Sequence, residues 1–193
     1  MPRQERAERS RAEILDAAAV EFDAHGYAGA RLDRIIERTR LTKGAVYFHF
    51  RSKLDLAEEL VAEKYGNWPE LIAAVDASGA TGVAAARDLT ARVAAVFATD
   101  VRVRAAMKLS RTVLPPGPEN DPYARWTAVV AAHLARAVEA EELPAGTDPV
   151  TLATVAVQAF FGAYLIADER GSLDELVGDA ERIWDVIAPG SRR

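Results

Sequence analysis

Apolar residues recur along this chain at the three-to-four-residue spacing of a helix, and no segment keeps the alternation of a half-buried strand. The clearest stretch lies near the end, where Leu173, Leu176, Val177, Ala180, Ile183, Trp184 and Ile187 follow i, i+3, i+4, i+7. A helix with one apolar stripe is satisfied only by packing on other elements, so an all-α fold of about nine helices is expected. With 193 residues, half of them hydrophobic, the chain can bury a real core in one domain or two small ones.

The punctuation supports this. A first helix is predicted over about Arg6–Ala24, with Ile14, Leu15, Ala18 and Phe22 on one face and Gly26 at its C-terminal cap. A short helix follows at Leu32–Arg38, then another at Thr42–His49 with Thr42 as its N-cap. Ser52 and Asp55 cap a longer helix whose stripe is Leu54, Ala57, Val61, Tyr65 and Trp68, and Pro69 is expected to kink or end it. Further helices are expected near 80–98, 101–114 and 122–141, with a break at Pro115–Pro118. Asp148 and Pro149 open the next one, and Ser172 with Glu175 reads as a capping box for the last.

Pro149 to Ala167 is 19 residues without a charge, about the length that crosses a bilayer. It carries Gln158 and Gly162, and acidic residues rather than Lys/Arg anchors flank it, so a helix enclosed by protein is the better reading. Being apolar all round, it needs a second covering surface. A homodimer through the last two helices supplies one, with Val155, Phe160, Gly162, Leu176, Ile183 and Trp184 as the expected interface. The alternative is a central helix buried within a monomer.

Charge is uneven. Residues 1–53 hold 11 Lys/Arg against 8 Asp/Glu, whereas the remaining 140 hold 13 against 21. A basic head on an acidic body fits a chain of which one part meets a polyanion. The absence of cysteine excludes disulfides and thiolate metal sites, and His25, His49 and His133 lack ligand spacing, so no metal and no cofactor are expected. No secretory signal is read at the start, so a cytoplasmic location is expected. GxSxG, HExxH, P-loop and dinucleotide-binding glycine motifs are missing, so the chain is not expected to be an enzyme.

Two short helices joined by a tight turn, after a longer one, make a helix-turn-helix arrangement over residues 1–53. Thr42, Lys43, Tyr47 and Lys53 offer hydroxyls and charge to phosphates, and Gly44 removes a side chain where the backbone would approach the groove. Arg3, Arg6 and Arg9 could reach the DNA backbone or minor groove.

Leu41-Thr42-Lys43-Gly44-Ala45-Val46-Tyr47-Phe48-His49-Phe50, followed by Ser52-Lys53 and Asp55-Leu56, resembles the DNA-binding signature of the tetracycline-repressor (TetR) family. The likeness covers roughly the first 60 residues. It implies a homodimeric repressor with a DNA-binding head and, over 54–193, a helical body for ligand binding and dimerisation. Ala45, Phe48 and His49 join the expected DNA-binding set on this ground. Tyr47-Phe48-His49-Phe50, Arg104-Ala105 with Lys108-Leu109, Pro122-Tyr123 with Trp126, and Ile183-Trp184 are similar to the γ-butyrolactone autoregulator receptors within the family. That resemblance implies a small hydrophobic effector of γ-butyrolactone, butenolide or furan type, and a tryptophan at Trp126 lining its pocket.

Phe97, Leu109, Gln158, Phe161 and Tyr164 are further pocket candidates, Gln158 because an amide on an apolar helix needs a partner. Tyr65 and Trp68 are expected to transmit the change from body to head. Two departures stand out. Ala30 and Arg31 replace the usual Ser/Thr cap of the second helix, worth about 1 kcal/mol, and Arg31 is a phosphate-contact candidate instead. Arg40 replaces the turn glycine, so that either the turn is strained or it differs. The rival readings are a repressor of an efflux or catabolic gene answering a drug or metabolite, and a sensor that no longer reads specific DNA.

Overall fold

The computed structural model describes residues 2–63, 66, 68–114, 121 and 123–189, with the side chains of residues 2, 3 and 111 outside that description. Among the described residues the regular structure is helical: α1 (Pro2–Gly29), α2 (Leu32–Arg38), α3 (Lys43–His49), α4 (Lys53–Glu63), α5 (Trp68–Ser78), α6 (Gly82–Thr99), α7 (Val101–Val113), α8 (Ala124–Glu139), α9 (Pro149–Arg170) and α10 (Leu176–Ile187). A 3-10 turn, Leu173–Glu175, precedes α10. The fold is all-α.

Local signals placed most boundaries. Gly26 has φ 62° and ψ −179°, which breaks α1 where glycine alone adopts that backbone without a steric penalty. The Asp148 carboxylate accepts the N–H groups of Val150 (3.1 Å) and Thr151 (3.3 Å), so α9 begins where its sequence says. The Ser52 hydroxyl accepts the Asp55 N–H (3.1 Å) at the start of α4. In return that hydroxyl, and then the Arg51 N–H, hold the Asp55 carboxyl below the usual carboxylate range.

Two expectations are corrected. The helix opened by Ser52 does not run to Trp68. Its described part is Lys53–Glu63, the Gly66 N–H meets the Glu63 carbonyl (2.8 Å) in a turn, and Trp68 opens α5 with Pro69 in its first turn, where a missing N–H leaves no bond unmade. Ser172 and Glu175 form no capping box. The chain leaves left-handed Gly171 (φ 70°) directly into the 3-10 turn, and the Ser172 carbonyl takes the Glu175 N–H (3.0 Å) instead. Tyr65 and the Pro115–Pro118 break lie outside the described residues.

The chain forms two compact units, residues 1–66 with 100–122, and residues 67–99 with 123–193. The first contains the expected 1–53 head together with α4 and α7. Its core joins Ile14, Leu15 and Phe22 of α1 to Ile35, Val46, Leu56, Leu60 and Leu109. In the second unit α6 packs on α5, α8 and α10, and α9 lies between α8 and α10. A left-handed Gly82 (φ 55°) starts α6 against the Glu142 carboxylate, which accepts the Val83 N–H (3.0 Å) and would collide with any Cβ at position 82.

α9 is long and apolar enough to cross a membrane by length and composition, at mean hydropathy 1.8, but it is not buried on all sides. Ala153, Ala156, Val157, Phe160, Tyr164 and Ala167 face inward at helical spacing, while Val155, Gln158, Gly162, Leu165 and Ile166 are exposed in the single chain.

Candidate functional site

α3 is amphipathic in seven residues. Val46 points into the core, followed by the buried C-cap Phe50, whose N–H closes the helix on the Val46 carbonyl (2.9 Å). Thr42 caps the other end by accepting the Ala45 N–H (3.2 Å). These anchors turn Lys43, Gly44, Tyr47 and Phe48 outward, with Ala45 and His49 half-buried at the edges. Phe48 is 82% exposed and makes an edge contact with the His49 ring at 5.3 Å. Lys43 stands 5.9 Å from the Tyr47 ring centroid and 3.9 Å from Asp33 of α2. Nothing lies within 4 Å of a Cβ built at Gly44, so the backbone there is open to close approach.

The turn before α3 resolves the question over Arg40. Glu141 is the one non-glycine residue with positive φ among the described residues, so Arg40 bears no left-handed strain. The turn is held by other means: Glu13 of α1 accepts the Arg40 N–H (2.7 Å), and Thr39 bonds the Ile36 carbonyl (2.8 Å).

Arg6 and Arg9 are exposed along α1, and Arg31 is exposed at the start of α2. The side chain of Arg3 lies outside the described residues. Lys53 is otherwise engaged. Its ammonium donates to the carbonyls of Tyr27 (2.6 Å) and Ala30 (2.9 Å) and sits 4.6 Å from the Tyr27 ring centroid. It ties the start of α4 to the end of α1, because the orphan carbonyls of that helix end need a donor.

Sequence reasoning passed over the acidic residues of α1 that hold the head together. Glu21 is fully buried and accepts the Arg31 N–H (3.2 Å). Asp23 receives Arg104 (3.1 Å) and Lys108 (2.8 Å) of α7, which lie one turn apart and so converge on one carboxylate. Arg102 reaches Asp16 (2.7 Å), Glu63 (3.3 Å) and the Ala12 carbonyl (2.7 Å). The signal available was the pairing of an Arg-x-x-x-Lys step with acids elsewhere, and sequence spacing does not say which acids.

In the second unit, aromatic side chains gather around Phe97. Phe160, Phe161 and Tyr164 lie with ring centroids 5.6, 5.8 and 4.9 Å from it, and Trp126 meets Phe160 at 4.8 Å. Tyr123 meets Phe161 at 4.5 Å. Trp126 is only 4% exposed, and its indole N–H finds no hydrogen-bond partner among the described residues. Trp184 on α10 is in the same state, but Trp126 alone of the two belongs to the aromatic cluster.

The cluster gathers four of the six pocket candidates: Trp126, Phe97, Phe161 and Tyr164. Leu109 belongs to the core of the first unit, and Gln158 is exposed on the outer side of α9. Of the expected dimer residues, Val155 and Gly162 are exposed and Ile183 is half-buried. Phe160, Leu176 and Trp184 are already enclosed within one chain and have no surface to give a partner. Among the described residues no group of three His, Asp or Glu is placed to hold a metal ion.

Residues 14–60 match the family model of bacterial regulatory proteins, tetR family. Over 190 residues the chain is 30% identical to the A-factor receptor protein of Streptomyces griseus, a match covering 98% of this chain. The chain spans just 66% of that relative's length. A solved structure concerned with control of antibiotic production by bacterial hormones shares 33% identity and a TM-score of 0.76, over 93% of this chain and 95% of that one. A gamma-butyrolactone receptor (ArpA-like protein) shares 27% identity and a TM-score of 0.71, over 92% and 97%. The TetR family protein CprB from Streptomyces coelicolor, in complex with its biological operator sequence, shares 27% identity and a TM-score of 0.81, over 97% and 92%.

Proposed function

This chain belongs to the tetR family of bacterial regulatory proteins, and we propose that it is a transcriptional repressor that binds a palindromic operator as a homodimer and is released by a small hydrophobic signalling molecule of γ-butyrolactone, butenolide or furan type. Residues 1–53 carry DNA recognition and residues 54–193 ligand binding and dimerisation. It works in the cytoplasm and catalyses no reaction.

The observation that carries the reading is the outer face of α3. A seven-residue helix anchored by Val46 and Phe50 presents a cation, a bare glycine, a phenol and a phenyl ring to solvent. Lys43 suits a guanine edge or a phosphate, the Tyr47 hydroxyl a phosphate oxygen, and Phe48 a thymine methyl. Two copies must hold these helices about 34–36 Å apart to enter successive major grooves. The exposed α9 face of Val155, Gln158, Gly162 and Ile166 supports a dimer that would set this distance.

The effector is assigned to the aromatic cluster. A buried indole N–H among apolar rings fits a mostly hydrocarbon molecule with one oxygen acceptor, such as a lactone carbonyl or an oxygen substituent on a furan ring. Release follows from differential affinity: a ligand that prefers the DNA-incompetent conformation a hundredfold lowers operator affinity by up to that factor.

The test is fluorescence anisotropy on duplexes tiling the DNA around the chain's own coding region, with and without a synthetic γ-butyrolactone. Saturable binding to one palindromic duplex, reversed by the lactone, is expected. Binding that a panel of drugs reverses and lactones do not would replace the effector class. Weak, salt-abolished binding to every duplex would overturn the repressor reading.

A further inference from the structure

α2 lacks the side chains that normally start a helix. Its N-cap is Arg31, which makes no side-chain cap bond, and the third helical position, where a capping box has Glu or Gln, is Arg34. Its own first-turn acid, Asp33, stands at the second position, and the carboxylate that takes the N-cap N–H comes from another helix. Glu21 of α1 is 0% exposed, and its Oε1 accepts the Arg31 N–H at 3.2 Å. Arg34 Nη1 stands 3.9 Å from the same oxygen, while Arg38 Nε (3.6 Å) and His25 Nε2 (3.9 Å) face the other.

We infer that Glu21 is a positioning residue for DNA recognition: it supplies from α1 the carboxylate half of a capping box and so sets where α2, and the turn that hangs α3 from it, begins. The inference rests on the repressor reading for its functional side. The polarity of the usual box is inverted, since the acid sits on the neighbouring helix and the capped helix carries arginines. A buried carboxylate is costly where an apolar side chain of similar volume would pack. The arrangement offsets that cost in three ways: the N–H bond, the positive end of the α2 dipole, and the two arginines one turn apart on α2. A general packing residue would need none of them.

The experiment compares the full-length parent with E21M, E21Q and the double variant E21M/R31T. Three readouts are taken: melting temperature, hydrogen exchange of the amides at Arg31–Arg34, and affinity for the operator against a scrambled duplex. E21M is expected to melt no lower than the parent, because methionine suits a buried site. Its first α2 amides should exchange about fivefold faster, the scale of a lost cap, while those of α4 do not change. Operator affinity should fall by a similar factor with the scrambled duplex unaffected. E21Q, which keeps an oxygen acceptor, should lie between, and R31T should restore α2 protection by providing a hydroxyl cap.

Unchanged α2 exchange in E21M overturns the inference. So does faster exchange throughout the head with a lowered melting temperature, or an equal loss of affinity on both duplexes. If E21M does not fold, E21Q decides on the same criteria. Should the parent bind no duplex specifically, the repressor reading fails while exchange still decides the capping role of Glu21.

Discussion

Phe48 shows why exposure has to be read with neighbours. A phenyl ring left 82% in water is unfavourable for stability, and it is kept beside Tyr47, Lys43 and bare Gly44 on one helix face. F48A should therefore leave folding stability within about 0.5 kcal/mol and lower operator affinity about tenfold, the scale of one base-edge contact. Its salt slope should match the parent, because no charge is removed. A parental affinity in F48A would sink the thymine contact. Lys53 makes the complementary case. Its ammonium holds the carbonyls of Tyr27 and Ala30, so K53M should cost about 2 kcal/mol of stability, the scale of charged hydrogen bonds, without flattening the salt slope. A slope reduced by about one unit would return Lys53 to the phosphate-contact set.

At the scale of elements, α3, α4, α7 and α9 start at side-chain caps of their own, whereas α2 takes its carboxylate from Glu21 of α1. α7 follows Asp100, whose carboxylate accepts the Arg102 N–H (2.8 Å), but Arg102, Arg104 and Lys108 then bind it to acids on α1 and α4. α8 buries Trp126, Val130, His133, Leu134 and Ala137 along one stripe, which leaves an imidazole in an apolar face. Burial holds the His133 pKa below its ordinary value of 6.5, with Arg136 acting in the same direction and Asp76 opposing. Near neutral pH both folded and unfolded forms are neutral; as pH drops below 6.5 the unfolded chain takes the proton first, so stability declines until the folded imidazole also titrates. H133Q should lose part of the drop in melting temperature between pH 7.5 and 5.5. An identical drop in H133Q would assign that acid sensitivity to other groups.

For the whole molecule, α9 carries the main consequence. A helix satisfied on one side by α8 and α10 still exposes Val155, Leu165 and Ile166 along the other. One chain cannot cover that strip, and two related by a twofold axis can. I166E, placing a carboxylate in the strip, should convert a dimer to a monomer by light scattering and abolish tight operator binding while each unit stays helical. An I166E protein with the parental mass would move the interface elsewhere, with Val186 on α10 the next exposed apolar residue to examine.

The head was legible before any coordinates because its signals are local. Thr42, Ser52 and Gly26 act within one turn of their own backbone, and the spacing of Val46 and Phe50 faces α3 without reference to anything distant. The same short range explains the misses. Pro69 forbids a continuous helix interior equally well by ending α4 or by starting α5, and only the fold chooses. Gln158 on an apolar run invited a pocket, but which face of α9 turns inward depends on α8 and α10. Lys53, Glu21 and Asp23 look like surface charges until the carbonyl, N–H or guanidinium opposite each is in place. Sequence alone therefore determined that the chain is helical, the caps at Thr42, Ser52 and Asp148, and which side of α3 the core anchors Val46 and Phe50 leave exposed. Tertiary structure decided which charges are spent inside the head, which aromatics meet around Trp126 and which side of α9 is left bare, because pairing and burial belong to two distant segments at once.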